Sequence, residues 1–190
     1  MRKLRTIEMN RLSLDEFHQS QKLPLVVVLD DVRSLHNVGS VFRTCDAFRV
    51  EAIYLCGITA TPPSAEIHKT ALGAEDSVSW QYFATAQQAV ELLHRQGCHV
   101  YSVEQAEGST PLQHLNIQSP KPTVQGSEGN VQKHAIVLGN EVKGVHQEVV
   151  DMSDGCLEIP QFGTKHSMNV SVAAGIVIWE FARRLLLRDD

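Results

Sequence analysis

The sequence predicts an α/β domain with a mainly parallel sheet and helices on both of its faces. Short apolar, β-branched runs such as LPLVVVLD (Leu23 to Asp30) and HAIVLG (His134 to Gly139) read as strands buried on both sides. Helical segments alternate with such runs through the chain, the order that gives parallel strands joined by crossover helices. The chain carries no internal repeat.

In order, Ser13 and Glu16 form a capping box, which starts a short helix ahead of the first strand. That sets a helical extension over residues 1–22 and a main domain over 23–190. After Leu23 to Asp30, a loop holding Asn37 leads into a helix from Val38 to Phe48, and Ala52 to Gly57 is the second strand. Ala65 to Leu72 is a weaker helix, and Val78 to Phe83 a strand. Thr85 to Gln96 is a helix stopped by Gly97. His99 to Glu104 is a strand. Ser119 to Lys133, rich in Pro, Gly and polar residues, is a surface loop. The strand His134 to Gly139, a short helix from His146 to Met152 and a strand from Cys156 to Pro160 follow. The last helix runs from Asn169 to Leu187. Its first half, VSVAAGIVIW, is apolar nearly all round and needs burial in the core or at a subunit interface.

At 190 residues, 43% hydrophobic and 21% charged, the composition is that of a soluble globular protein. No apolar run reaches the length of a membrane span, and the basic N-terminus lacks a secretory h-region, so the expected location is cytoplasmic. Cys45, Cys56, Cys98 and Cys156 show no C-x-x-C spacing and the histidines no H-x-x-x-H pair, so no metal is expected. The net charge of -5 argues mildly against nucleic acid, yet basic residues gather at Arg2, Lys3 and Arg5 and near the segments described next.

Three segments hold unusual residues. In the first, Leu29 to Phe48, Asn37 can cap a helix, and Gly39 and Arg43 share one face, where a glycine leaves room for a backbone to approach the arginine. In the second, Ala135 to Val145, a buried strand ends in Gly139-Asn140-Glu141, where α/β sheets bind ligands. Gly139 would let a ligand approach, and Glu141 could orient a substrate or a basic group. In the third, Leu157 to Glu180, Ser167 and Asn169 precede the apolar helix and either can cap it. Each segment taken alone reads at least as well as capping and turn chemistry with solvated charges. None is a G-x-G-x-x-G, a P-loop or a nucleophile elbow.

Together, in this order, the segments resemble the SpoU (TrmH-like) family of RNA ribose methyltransferases in the SPOUT superfamily. Asn37, Gly39 and Arg43 match its Asn-x-Gly-x-x-x-Arg motif, and Leu138 to Gly144 matches Leu-Gly-Asn-Glu-x-x-Gly. Ile159-Pro160 with Ser167 to Ala173 matches the third motif, with Met168 at its variable position. Lys69 to Ala74 also looks like a family stretch. The resemblance spans about Leu25 to Leu187.

The resemblance implies a deep C-terminal trefoil knot, which topology rules alone would reject. It implies a homodimer whose sites draw on both subunits. It implies S-adenosylmethionine held by Leu138, Gly139, Ile159, Pro160 and Met168, with Glu104 nearby. By similarity the catalytic residues are Arg43, Asn37, Glu141, Ser167 and Asn169. The substrate would be structured tRNA or rRNA, met by Arg43, Arg33, Lys143, Lys165 and the arm of Arg2, Lys3 and Arg5. Two rivals keep the same fold: an RNA-binding module without catalysis, and a methyltransferase acting on a base nitrogen. A generic nucleotide-binding enzyme is a third.

Overall fold

The computed structural model describes residues 1–117 and 132–187. Seven strands make one wholly parallel sheet. They are β1 (Leu23–Asp30), β2 (Val50–Cys56), β3 (Trp80–Phe83), β4 (His99–Val103), β5 (Thr110–Pro111), β6 (His134–Leu138) and β7 (Gly155–Glu158). Their spatial order is β3-β2-β1-β6-β4-β7-β5. The helices are α1 (Leu14–Gln19), α2 (Leu35–Ala47), α3 (Ala65–Ala71), α4 (Ala74–Ser77), α5 (Ala86–Arg95), α6 (Gln147–Met152) and α7 (Val170–Leu185).

The central strand explains the two-sided cover. Along β1, Leu23, Leu25, Val27 and Leu29 enter one core with residues of α2, α3 and α7. Val26 and Val28 enter the other, with residues of α5 and α6. Period-two alternation between two apolar layers leaves no polar position between Leu25 and Leu29, hence the continuous LVVVL. The capping box forms as read: the Ser13 N–H donates to Glu16 Oε2 at 2.7 Å, and the Glu16 N–H to Ser13 Oγ at 3.3 Å. Phe17 of α1 is buried in the main core, which ties this short helix to the domain.

Several boundaries move. Helix α2 begins at Leu35, capped by Ser34, whose Oγ accepts from the Asn37 N–H at 3.3 Å. Asn37 therefore lies inside the first turn rather than in the loop before it, and its side chain is released from capping. The strand expected over Val78 to Phe83 is confined to the edge strand β3, where Trp80 and Tyr82 stay exposed. That expected from Cys156 to Pro160 runs from Gly155 to Glu158. The two-residue β5 was not legible; its Pro111 is tolerated because the strand is an edge. The loop expected over Ser119 to Lys133 lies largely outside the described residues.

Of the two candidate caps for α7, Asn169 performs the task, its Oδ1 accepting from the N–H groups of Ser171 at 2.9 Å and Val172 at 3.4 Å. The helix buries Val170, Ala174, Val177, Ile178 and Phe181. Val172, Ile176 and Trp179 share its other face and are 53%, 37% and 46% exposed, so one chain leaves that stripe of the helix uncovered. Among the described residues no helix is long and apolar enough to cross a membrane.

Candidate active site

Strands β4, β6 and β7 are neighbours in the sheet, so the loops after Val103, Leu138 and Glu158 emerge side by side. Between these loops lies a cavity of about 320 Å³. Val103, Leu138, Ile159, Met168 and Ala173 give it apolar walls, and Glu104, Glu141 and Ser167 give it polar groups. It sits at the carboxyl end of a parallel sheet, as ligand sites of open α/β folds do. Among the described residues its lining contains no Lys and no Arg. Five of the six residues expected to hold the cofactor line it, Leu138, Gly139, Ile159, Met168 and Glu104; Pro160 is half-buried beside them.

The loop after β6 is shaped by Asn140. Its backbone pairs with Gly144 in both directions, at 3.0 and 2.9 Å, and its Oδ1 accepts from the N–H groups of Val142 and Lys143. This return of the chain is what requires glycine at 139: a Cβ there would lie 2.1 Å from the Gly144 carbonyl carbon and the Val145 nitrogen. The close neighbour is the protein's own backbone, where the sequence suggested a ligand. Glu104 braces the same turn, accepting from the Val145 N–H at 3.1 Å.

Glu141 ties this loop to α2. Its carboxylate accepts from the N–H groups of Arg33 at 3.0 Å and Ser34 at 2.9 Å, and from the Asn37 amide at 2.9 Å. Partial burial pushes the carboxyl upward, but the hydrogen bonds from Arg33, Ser34 and Asn37 overcome it and hold its pKa below the usual range. Glu141 is thus a fixed anion at a helix N-terminus, occupied by donors and poorly placed to collect a proton. The link continues: Asn37 Oδ1 accepts from the Asn169 amide at 3.1 Å, and Asn169 Oδ1 accepts from the Ser171 hydroxyl at 2.6 Å. The structure thereby joins Asn37, Glu141 and Asn169, one residue from each motif.

The family profile described as SpoU rRNA Methylase matches residues 24–179. The chain belongs to this family. A 23S rRNA (guanosine-2'-O-)-methyltransferase of Neisseria meningitidis is 29% identical over 88% of this chain and 61% of its own length. A tRNA (guanosine(18)-2'-O)-methyltransferase of Thermus thermophilus is 28% identical over 94% of this chain and 84% of its own. An AdoMet-bound rRNA methyltransferase structure from Sinorhizobium meliloti superposes with a TM-score of 0.74 at 27% identity, covering 88% of this chain and 62% of that one. The chain therefore spans about three-fifths of the Neisseria and Sinorhizobium proteins.

Set against the family motifs, not every residue converges. Arg43 is exposed and lines a separate recess with Ser40, Thr44, Phe48, Lys69 and Thr70. Among the described residues it makes no hydrogen bond or ion pair, so neither Asn37, Glu141, Ser167 nor Asn169 orients it within one chain. Gly39 opens no room for a partner of Arg43; a Cβ there would lie 2.2 Å from Thr70 Oγ1 and 2.3 Å from the Ile67 carbonyl, so the glycine serves the close packing of α2 on α3. Arg33, Lys143 and Lys165 are exposed around the cavity loops, as are Lys3 and Arg5 on the N-terminal arm. Arg2 is paired with Glu8 at 2.9 Å.

The structure adds residues that the motifs of the SpoU family did not single out. Gln105 reaches across the cavity mouth and donates to the His166 carbonyl at 3.1 Å, closing the loop after β4 onto the loop after β7. Gln161 and His166 also line the cavity. Single glutamines and histidines in polar loops carry no periodic or spacing signal. On the other side of the sheet, Asp30, Asp31 and His146 bring ligand-type atoms within 4.8 Å of one another. Asp30 Oδ2 lies 2.9 Å from His146 Nδ1, and this contact, with the charge of Asp30, raises the imidazole pKa.

Proposed function

We propose that the protein transfers a methyl group from S-adenosylmethionine to a ribose 2′-hydroxyl of tRNA or rRNA. The cavity at the ends of β4, β6 and β7 carries this reading. It offers apolar walls for an adenine ring and a methionine chain, and two carboxylates with, among the described residues, no Lys or Arg. That charge balance suits a sulfonium cation and is wrong for the pyrophosphate of a dinucleotide. The activities for which the relatives are named, guanosine 2′-O-methylation of rRNA and tRNA, point the same way.

When bound, the cofactor supplies an electrophilic methyl group next to a positive sulfur. The chain supplies the rest. Leu138, Gly139, Ile159, Pro160 and Met168 would hold the cofactor, with Glu104 bracing the turn beside it. Asn37, Glu141 and Asn169 lock the loop after β6, the start of α2 and the start of α7 into one rigid frame, and Ser167 offers a hydroxyl at the cavity mouth. Arg43 binds the phosphate beside the target ribose and stabilises the developing alkoxide. A guanidinium stays protonated in proteins, so a substrate phosphate or another group takes the hydroxyl proton.

The active unit is a homodimer. Its support is twofold: Val172, Ile176 and Trp179 leave an apolar face of α7 uncovered, and Arg43 does not reach the polar frame of its own chain. A second subunit resolves both by covering the face and presenting Arg43 to the neighbouring cavity. We also infer the trefoil knot of the SPOUT fold within the domain over 23–190, a cytoplasmic location among its RNA substrates, and RNA contacts from Arg33, Lys143, Lys165, Arg2, Lys3 and Arg5.

The test is a map of 2′-O-methyl positions across total RNA with and without the protein. The expected result is the loss of one or more ribose methylations, restored by the wild-type chain. Arg43→Ala should abolish restoration while keeping cofactor affinity and the unfolding midpoint; full turnover by that variant would refute its role. Loss of a base methylation instead would favour the base-nitrogen reading, and no change at all would favour a non-catalytic module.

A further inference from the structure

The recess around Arg43 holds a second cation that the motifs do not explain. Lys69 stands on α3, and the glycine contact of α2 with α3 brings it to the same hollow of about 480 Å³ as Arg43. Ser40, Thr44 and Thr70 complete the wall, and Phe48 lies at one end. The three hydroxyls spend their protons on carbonyls: Ser40 and Thr70 donate to His36 at 2.8 and 2.9 Å, and Thr44 donates to Ser40 at 3.0 Å. Anion binding in the hollow therefore rests on the two cations.

The nearby carboxylates sharpen the picture. Asp46, one turn beyond Arg43, is turned to the Ser77 hydroxyl of α4 at 2.6 Å. Glu66 is the counter-ion of Lys69 at 2.6 Å and also meets His36 Nε2 at 3.1 Å. Both partners of the Lys69–Glu66 pair are about half exposed or more, at 61% and 48%, so the pair is weak and easily exchanged. A guanidinium with no carboxylate partner among the described residues, beside an ammonium with a labile one, is an arrangement for a phosphodiester backbone.

We propose that Lys69 is a second RNA-phosphate contact: while Arg43 holds the phosphate beside the target ribose, Lys69 leaves Glu66, takes a neighbouring phosphodiester and fixes the register of the strand. This rests on the reading of the protein as an RNA ribose methyltransferase. Lys69 is a positioning residue, and it gives the stretch from Lys69 to Ala74 a task.

The experiment measures methyl transfer and filter-retained binding, over a series of salt concentrations, with undermethylated total RNA from cells lacking the protein. Lys69→Gln should raise KM about three- to tenfold with kcat at saturating RNA retained, and lower the log–log salt slope of binding by about 0.7–0.9, one phosphate contact. Lys69→Arg should restore both, and Glu66→Gln should tighten binding by freeing the lysine. Unchanged KM and salt slope in folded Lys69→Gln, or a loss confined to kcat, would overturn the proposal. A wild type that binds RNA but transfers no methyl group would sink the enzymatic reading by itself, with the salt slope still deciding the role of Lys69.

Discussion

His134 opens β6 with its ring packed against Tyr101 and Phe181 and its Nδ1 buried with no hydrogen-bond partner among the described residues. Burial, with the charge of His99 second, lowers its pKa to about 4 from an ordinary 6.5. In the window between those values the unfolded chain binds the proton and the folded chain does not, so stability falls as pH drops from 6.5 toward 4. His134→Phe keeps the ring contacts and removes both the orphaned nitrogen and the titration. The variant should be at least as stable as the wild type at pH 7, where the lost orphan is worth on the order of 1 kcal/mol. Its urea midpoint should decline less between pH 6.5 and 5. A decline as steep as the parent's would show that other groups set the acid limb. Glu141 is the contrasting case of a partly buried polar group fully supplied with donors, and the difference lies in what each one touches.

Between elements, the contact of α2 with α3 depends on Gly39. A methyl group there meets the Ile67 carbonyl at 2.3 Å, and backbone cannot yield as a side-chain tip can. Gly39→Ala should therefore part the two helices and cost about 1–3 kcal/mol by chemical denaturation. A variant as stable as the parent would mean that α3 shifts at no cost. This glycine also marks the limit of what the sequence reveals. Strands such as β1 and β6 were legible because burial on both faces demands an unbroken apolar run. The start of α2 was not, because Ser34 and Asn37 are both competent caps and only the fold decides between them. The motif residues were legible as a set, yet their partners were not: Glu141 meets the backbone of Arg33 and Ser34, over a hundred positions away, and no local pattern encodes that. For the same reason Gln105 and His166 gave no sign of meeting.

At the scale of the molecule, α7 lines the core with one face and leaves Val172, Ile176 and Trp179 uncovered on another. If this face pairs two chains, Ile176→Glu should convert a dimer to a monomer in light scattering. It should also abolish methyl transfer while cofactor binding by the single chain persists. A monomeric, active wild type would overturn the homodimer reading. The link from Asn37 to Asn169 has a different kind of consequence. The two residues are 132 positions apart, and the amide contact between them closes the frame that Glu141 begins. At roughly 5–20 residues per second on the ribosome, Asn37 waits on the order of ten seconds for Asn169 to be made. Through that interval the growing polypeptide can display its first strands and its basic arm but no assembled frame. Competence then arrives late in translation, as a single event, rather than being built up as the chain lengthens.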